Sequence, residues 1–435
     1  MITSQLIRLE SLSTRPIIAS MNASSFSASS VHDRSYSWFR LIVTLIIAIF
    51  ANTGMWAVIT IMPALETDFE TARSITSLPF TLNMIGFAVG NLVIGRIIDR
   101  FGVIISVIAA AMASAIAYYL ASQTQNFQLL TAFHLLLGFG TAAGFGPLIS
   151  DISHWFLKHR GIAVALIASG NYLAGGLWPL FLSDILLEQG WRDAYQILAA
   201  LTLIVIIPLA LLLRRRLPNA AHRQASALAS ANSAKINLST RPFLLFLGIA
   251  GISCCVAMSM PQVHIVSYCV GLGYGPAVGV QMLSVMLLGG VVSRIVSGLI
   301  ADRLGGIKTV LLGASLQCIA LVMYLPFDGM ISLYVVSLVF GLSQGGIVPG
   351  YAVIVREYLP PREAGEQVGF VIMMTILGMA LGGWMSGWIY DLTSSYQLAF
   401  VNGIAWNLLT ILIIAVLFFR TLPPAKLRQC EPAMK

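Results

Sequence analysis

Twelve apolar runs of about 20 residues, separated by short polar turns, follow one another from Trp38 to Phe419. Such a run is what one helix needs to cross the hydrocarbon core of a bilayer, where only helices and closed barrels satisfy their own backbone groups. The runs fall at 38–63, 74–95, 103–122, 128–150, 161–185 and 194–213, and, after a polar stretch, at 243–265, 275–297, 309–327, 331–354, 367–390 and 397–419. Hydrophobic residues make up 58% of the chain and charged residues 10%, against roughly 25% charged in a soluble domain. The sequence therefore predicts an all-α membrane protein of twelve transmembrane helices. A soluble enzyme is excluded, and the turns leave no room for an ATPase domain.

The organisation expected from this pattern is a disordered cytoplasmic tail over 1–37, a first six-helix bundle over 38–213, a cytoplasmic linker over 214–242, a second bundle over 243–419 and a C-terminal tail over 420–435. The first 37 residues hold eleven Ser, and their basic residues are Arg8, Arg15 and Arg34. A removable targeting segment has the same composition, so the fate of residues 1–20 stays open. The five cysteines form no C-x-x-C pair, and neither a metal site nor a disulfide framework is expected.

Orientation follows from the positive charges. Of 25 Lys and Arg, only Arg73 and Arg192 fall in the loops opposite the termini, whereas the 17 acids divide nine to eight between the two sides. Positive charge marks the cytoplasmic side, so both termini are expected there, in a plasma or inner membrane. The basic residues are spread over seven segments without interleaved aromatics, which argues against nucleic acid as a partner.

The two halves repeat. Gly95, Asp99, Arg100 and Gly102 match Gly298, Asp302, Arg303 and Gly305, each 203 residues on, and Gly138 and Gly341 keep the same separation. Six spans return the chain to its starting side, so the halves are expected as two pseudo-symmetric bundles about an axis along the membrane normal, with a cavity between them at midplane.

This doubled G-x-x-x-D-R-x-G loop resembles the motif of the major facilitator superfamily. Trp155-Phe156, Arg160-Gly161-Ile162-Ala163, Gly190-Trp191-Arg192 and Tyr390-Asp391 with Ser395-Tyr396 resemble its monocarboxylate-porter and oxalate/formate-antiporter group. The resemblance implies the major facilitator fold, transport by alternating access, and a gating role for the eight motif residues. Physically, the glycines let a helix end turn sharply, and a carboxylate can rest against the N-terminal end of a neighbouring helix.

Arg294 carries the sharpest expectation. It lies about eight residues before Asp302, roughly 12 Å of helix into the membrane, where a cation is costly unless paired or hydrated. Its repeat partner is the uncharged Asn91, and Arg294-Ile295-Val296-Ser297-Gly298 resembles the segment in which monocarboxylate porters hold a substrate-binding Arg. A guanidinium fork suits a carboxylate. Snorkelling to the surface is the competing reading. Gly290 stands where proton-coupled porters carry an acid, and no acid occurs in the middle of any span. His134 and His264 remain as titratable candidates in the membrane. Asn52, Asn171, Tyr172, Gln262 and Gln344 complete the candidate substrate contacts, with helix–helix hydrogen bonding as the alternative for each.

The expectation is thus a transporter of a small organic anion, above all a monocarboxylate, working without a cofactor as a monomer in the lipid bilayer. A co-transported proton or an exchanged anion is the coupling partner to test. The alternatives are a permease for a drug or neutral metabolite, and a sensor that does not transport. A membrane enzyme would have to use Gly341-Leu342-Ser343-Gln344-Gly345, whose G-x-S-x-G spacing lies inside an apolar span rather than at a strand-to-helix elbow.

Overall fold

The computed structural model describes residues 32–156, 159–215, 239–359 and 364–421. Twelve helices in it are long and apolar enough to cross a membrane: α1 Ser35–Asp68, α2 Arg73–Ile98, α3 Val103–Gln123, α4 Phe127–Ser153, α5 Gly161–Glu188, α6 Trp191–Leu212, α7 Thr240–Gly271, α8 Pro276–Leu304, α9 Gly306–Met323, α10 Met330–Tyr358, α11 Gln367–Thr393 and α12 Gln397–Arg420. The chain is a multi-pass, all-α membrane protein of two six-helix bundles. Large apolar side chains such as Phe181, Ile204, Ile331 and Phe419 are more than 60% exposed, as befits surfaces that lipid rather than water covers.

Helix α1 starts at Ser35, before the expected Trp38, because Asp33 ties the entering chain down. Its backbone N–H donates to the Trp155 carbonyl (3.2 Å), and its carboxylate accepts from the His159 backbone N–H and faces the His159 ring (both 3.1 Å). The rest of the expected tail, 1–31, lies outside the described residues, as do 216–238 of the linker and 422–435 at the C-terminus.

The repeat is visible in the backbone. Gly102 and Gly305 close α2 and α8 with φ of +87° and +83° and ψ of 166° and 165°, a nearly glycine-only conformation that costs a residue with a side chain about 1–3 kcal/mol. Each then opens the next helix, accepting from Ser106 or Thr309 through both backbone and side chain. At Gly138 a Cβ would overlap the Asn83 carbonyl, and at Gly341 it would overlap that of Met286. These glycines let α2 meet α4 and α8 meet α10 at backbone contact.

Two glycine-lined seams join the halves. On one, Gly175 and Gly176 of α5 accommodate Leu287 and Leu288 of α8; on the other, Gly383 and Gly387 of α11 accommodate Phe80 and the Arg73 backbone of α2.

Candidate substrate cavity

Between the halves, at mid-depth, lies a cavity of about 60 Å³. Its walls come from α1, α2, α4 and α5 and from their repeat partners α7, α8, α10 and α11. Most of the wall is apolar and soft: Met55, Met84, Met258 and Met379 contribute thioethers, and Trp56, Phe87 and Phe145 contribute rings. Methionine adapts its shape to irregular neighbours.

Among the described residues, Arg294 is the one charged side chain in that wall. It is 5% exposed and points inward instead of towards either surface. Nε donates to the Gly345 carbonyl of its own half (3.1 Å), and Nη1 donates to the Ala168 carbonyl of the other half. Its guanidinium carbon stands 4.1 Å above the Tyr172 ring. All three partners are neutral. The contact with Tyr172 follows from Gly290, one turn before Arg294: a Cβ there would come within 2.8 Å of the tyrosine ring. The ring thus occupies the space that an acid at this position would need.

Other polar groups gather around this pair. The Tyr172 hydroxyl donates to Gln344 Oε1 (2.8 Å), joining α5 to α10 across the halves. Gln262 and Asn171 line the cavity. The Nε2 groups of Gln262 and Gln344 are buried without a hydrogen-bond acceptor, which leaves donors available to an incoming acceptor. Asn171 Nδ2 donates to Asn52 Oδ1 (3.0 Å).

Asn52 itself sits behind the wall. Its amide donates to the Ala48 and Gly144 carbonyls (2.7 and 2.9 Å) at the point where α1 breaks. The histidines also lie away from the cavity. His134 contacts the Leu130 carbonyl (2.8 Å) and the Tyr195 hydroxyl (2.9 Å); His264 contacts the Gly383 carbonyl (2.7 Å) and the Tyr396 hydroxyl (3.1 Å). Of the eight expected substrate contacts, Arg294, Asn171, Tyr172 and Gln262 line the cavity, Gln344 adjoins it through Tyr172, and Asn52, His134 and His264 do not reach it.

The expected gate residues divide likewise. Gly102 and Gly305 make the turns described above, whereas a Cβ at Gly95 or Gly298 would meet nothing within 4 Å. Arg100 borders a cavity of about 580 Å³ at the end of the first half that carries the termini. Asp302 and Arg303 are exposed. At the head of α9 the carboxylate is instead Glu357, which accepts from the Gly306 N–H (2.9 and 3.1 Å). The Asp99 side chain lies outside the described residues.

At the opposite end the halves are latched. The Arg73 and Ser74 N–H groups donate to the two oxygens of Asp391 (3.0 and 2.8 Å). The Arg73 guanidinium stands 3.8 Å above the Tyr390 ring, and its Nε donates to Glu66 (3.2 Å). The sequence signalled Arg73 only as one of two basic residues outside the basic end. It gave no signal for the cavity roles of Trp56, Thr375 or the four methionines, because an apolar run does not say which face is inward.

A family model described as Major Facilitator Superfamily matches residues 44–332 and 282–430. Monocarboxylate transporter 13 of Bos taurus is 25% identical over 362 residues, 82% of each chain. The agnestins efflux protein AgnL12 of Paecilomyces divaricatus is 26% identical over 290 residues, 66% of this chain and 64% of that one, so the chain spans just under two thirds of that relative's length. Among solved structures, the nucleoside transporter NupG superposes with a TM-score of 0.67 at 15% identity, covering 87% of this chain and all of that one. A bacterial homologue of the human lysosomal transporter Spinster, in an inward-facing and unoccupied conformation, gives 0.65 at 13% identity over 89% of this chain and 98% of that one.

Proposed function

The chain belongs to the major facilitator superfamily, a family of membrane transporters and not of enzymes, and on that premise we propose that it carries a small organic monoanion whose carboxylate is taken by Arg294. The observation that supports this reading is the cation itself, buried at mid-depth with only neutral partners. A buried charge without a counter-ion is costly, and an anion entering the cavity supplies one. One guanidinium matches one carboxylate. The methionine and aromatic walls suit an apolar remainder, and the Gln262 amide offers a donor to a second acceptor on the ligand.

Alternating access follows from the two-half design: the cavity lies between bundles that separate at one end while they close at the other. The bovine relative named for monocarboxylates supports the carboxylate reading. The fungal relative named for efflux of agnestins supports a second one, a permease for a drug or neutral metabolite, for which the soft methionine wall is the favourable feature. A plasma or inner membrane, the cytoplasmic placement of both termini and a monomeric state belong to the same proposal.

The test is a thermal-shift screen of small carboxylates against purified protein, followed by transport into vesicles. Arg294→Gln should weaken binding of the stabilising anion by about 10- to 150-fold, the worth of one charge-assisted pair of about 1.5–3 kcal/mol. Arg294→Lys should retain part of the affinity, since it keeps the charge and loses the fork. Wild-type affinity in Arg294→Gln at equal expression would reject the anion assignment.

A further inference from the structure

His134 and His264 make look-alike contacts, yet their settings differ. The partners of both lie in the histidine's own half, Leu130 and Tyr195 for His134 and Gly383 and Tyr396 for His264, but Tyr396 in turn touches the other half at Arg73. His264 stands behind the latch. Because the Gly383 carbonyl can only accept, the neutral ring carries its hydrogen on Nε2, and Nδ1 accepts from the Tyr396 hydroxyl. The Tyr396 ring packs 4.5 Å from that of Tyr390 and lies 5.3 Å beneath the Arg73 guanidinium of the other half. A fully buried, titratable side chain thus sits two contacts from the cation that joins the halves at the end away from the termini.

We propose that His264 is the proton-binding site of this far-end gate: a proton taken up at Nδ1 ends the hydrogen bond from Tyr396 and releases the latch between the halves. Nδ1–H then has to donate where it had accepted, and the Tyr396 hydroxyl hydrogen must turn away. The imidazolium and Arg73 come to flank the same tyrosine, as like charges. The groups around it are Tyr268 on α7, Glu66 at the end of α1, Arg73 at the start of α2, Tyr390 and Asp391 at the end of α11, and Tyr396 before α12. Burial and Arg73 oppose the added charge, and Asp391, with Glu66 beyond Arg73, offsets part of that cost. Net uptake is one proton from water, with no other bond made or broken than these hydrogen bonds.

The inference rests on the alternating-access reading and not on the substrate, so its test contains no substrate. Spin labels are attached to Thr67→Cys at the end of α1 and Leu392→Cys at the end of α11, both exposed. Cys318 and Cys430 are replaced by Ser, while Cys254, Cys255 and Cys269 are buried. The interlabel distance is measured by pulsed electron resonance in nanodiscs at steps from about pH 7.5 to about pH 4, through the ordinary imidazole range and below it. The expected result is a several-fold gain of a longer-distance population as the pH falls. His264→Gln keeps a donor for Gly383 and an acceptor for Tyr396 but cannot take the proton, so it should hold the short distance at every pH. His134→Gln should shift as the parent does. Asp391→Asn, which weakens the latch directly, should populate the long distance at every pH. A parent that does not respond to pH, or a His264→Gln protein that responds as the parent does, overturns the proton site. A fixed distance in Asp391→Asn overturns the far-end gate on which that site depends, whatever anion is carried.

Discussion

At Gly290 the absence of a side chain decides what Arg294 rests on. The Tyr172 ring fills the vacant space and offers its face to the guanidinium, a contact worth about 0.5–2 kcal/mol, far less than a carboxylate would supply in a dry site. The cation is therefore left receptive. Gly290→Asp would push the Tyr172 ring aside and put an acid one turn from Arg294 on the same helix face, satisfying it internally; the thermal shift produced by the stabilising anion should vanish, at a loss of roughly tenfold or more in affinity. Gly290→Ala is the steric control. It crowds Tyr172 at an overpacking cost of about 1–3 kcal/mol, lowering the melting temperature while anion binding persists. Equal loss of binding in both variants would show that packing, and not charge, governs the site.

Among the elements, the paired turns α2–α3 and α8–α9 carry a sharper expectation. Gly102→Ala and Gly305→Ala each force an L side chain into positive φ and should each cost about 1–3 kcal/mol, read as a lower melting temperature. Gly95→Ala and Gly298→Ala meet no obstruction and exchange a poor helix former for the best one, so they should be neutral or stabilising by up to about 1 kcal/mol. Slower vesicle uptake in those two at unchanged melting temperature would assign the glycines to the other conformer of the gate. The helices and the repeat were legible in the sequence because lipid imposes the length of each run and a sharp turn imposes its glycine. Arg294 was legible because a cation is conspicuous in an apolar span. Which neighbour a polar side chain meets was not. An apolar run hides its inward face, so His134 and His264 read as candidates for the cavity although tyrosine hydroxyls hold them elsewhere. Glu357 escaped notice as the cap of α9 because it comes from a different helix, some fifty residues along the chain.

Over the whole molecule, charge and architecture agree on two unlike ends. The end away from the termini holds Arg73 and Arg192, and each is paired there, with Glu66 and Asp68. The surplus of Lys and Arg lies at the other end, the one proposed above to face the cytoplasm. Cysteines introduced at Thr124 and Asp328 should then react from outside with a membrane-impermeant reagent, and cysteines at Phe101 and Leu304 should not; the reverse labelling would invert the topology. The shared geometry of the halves also bears on their history. The Asn83–Gly138 contact and the Met286–Gly341 contact keep a common register, as do the turns at Gly102 and Gly305, although most side chains between them differ. One residue inserted into a packed helix would rotate everything beyond it by about 100° and part the very backbones that those glycines let meet. Ancestral doubling followed by free drift in composition but not in spacing would leave this record, with slippage entered at the turns before α6 and α12, so that the buried Tyr195 and Tyr396 stand two residues out of step.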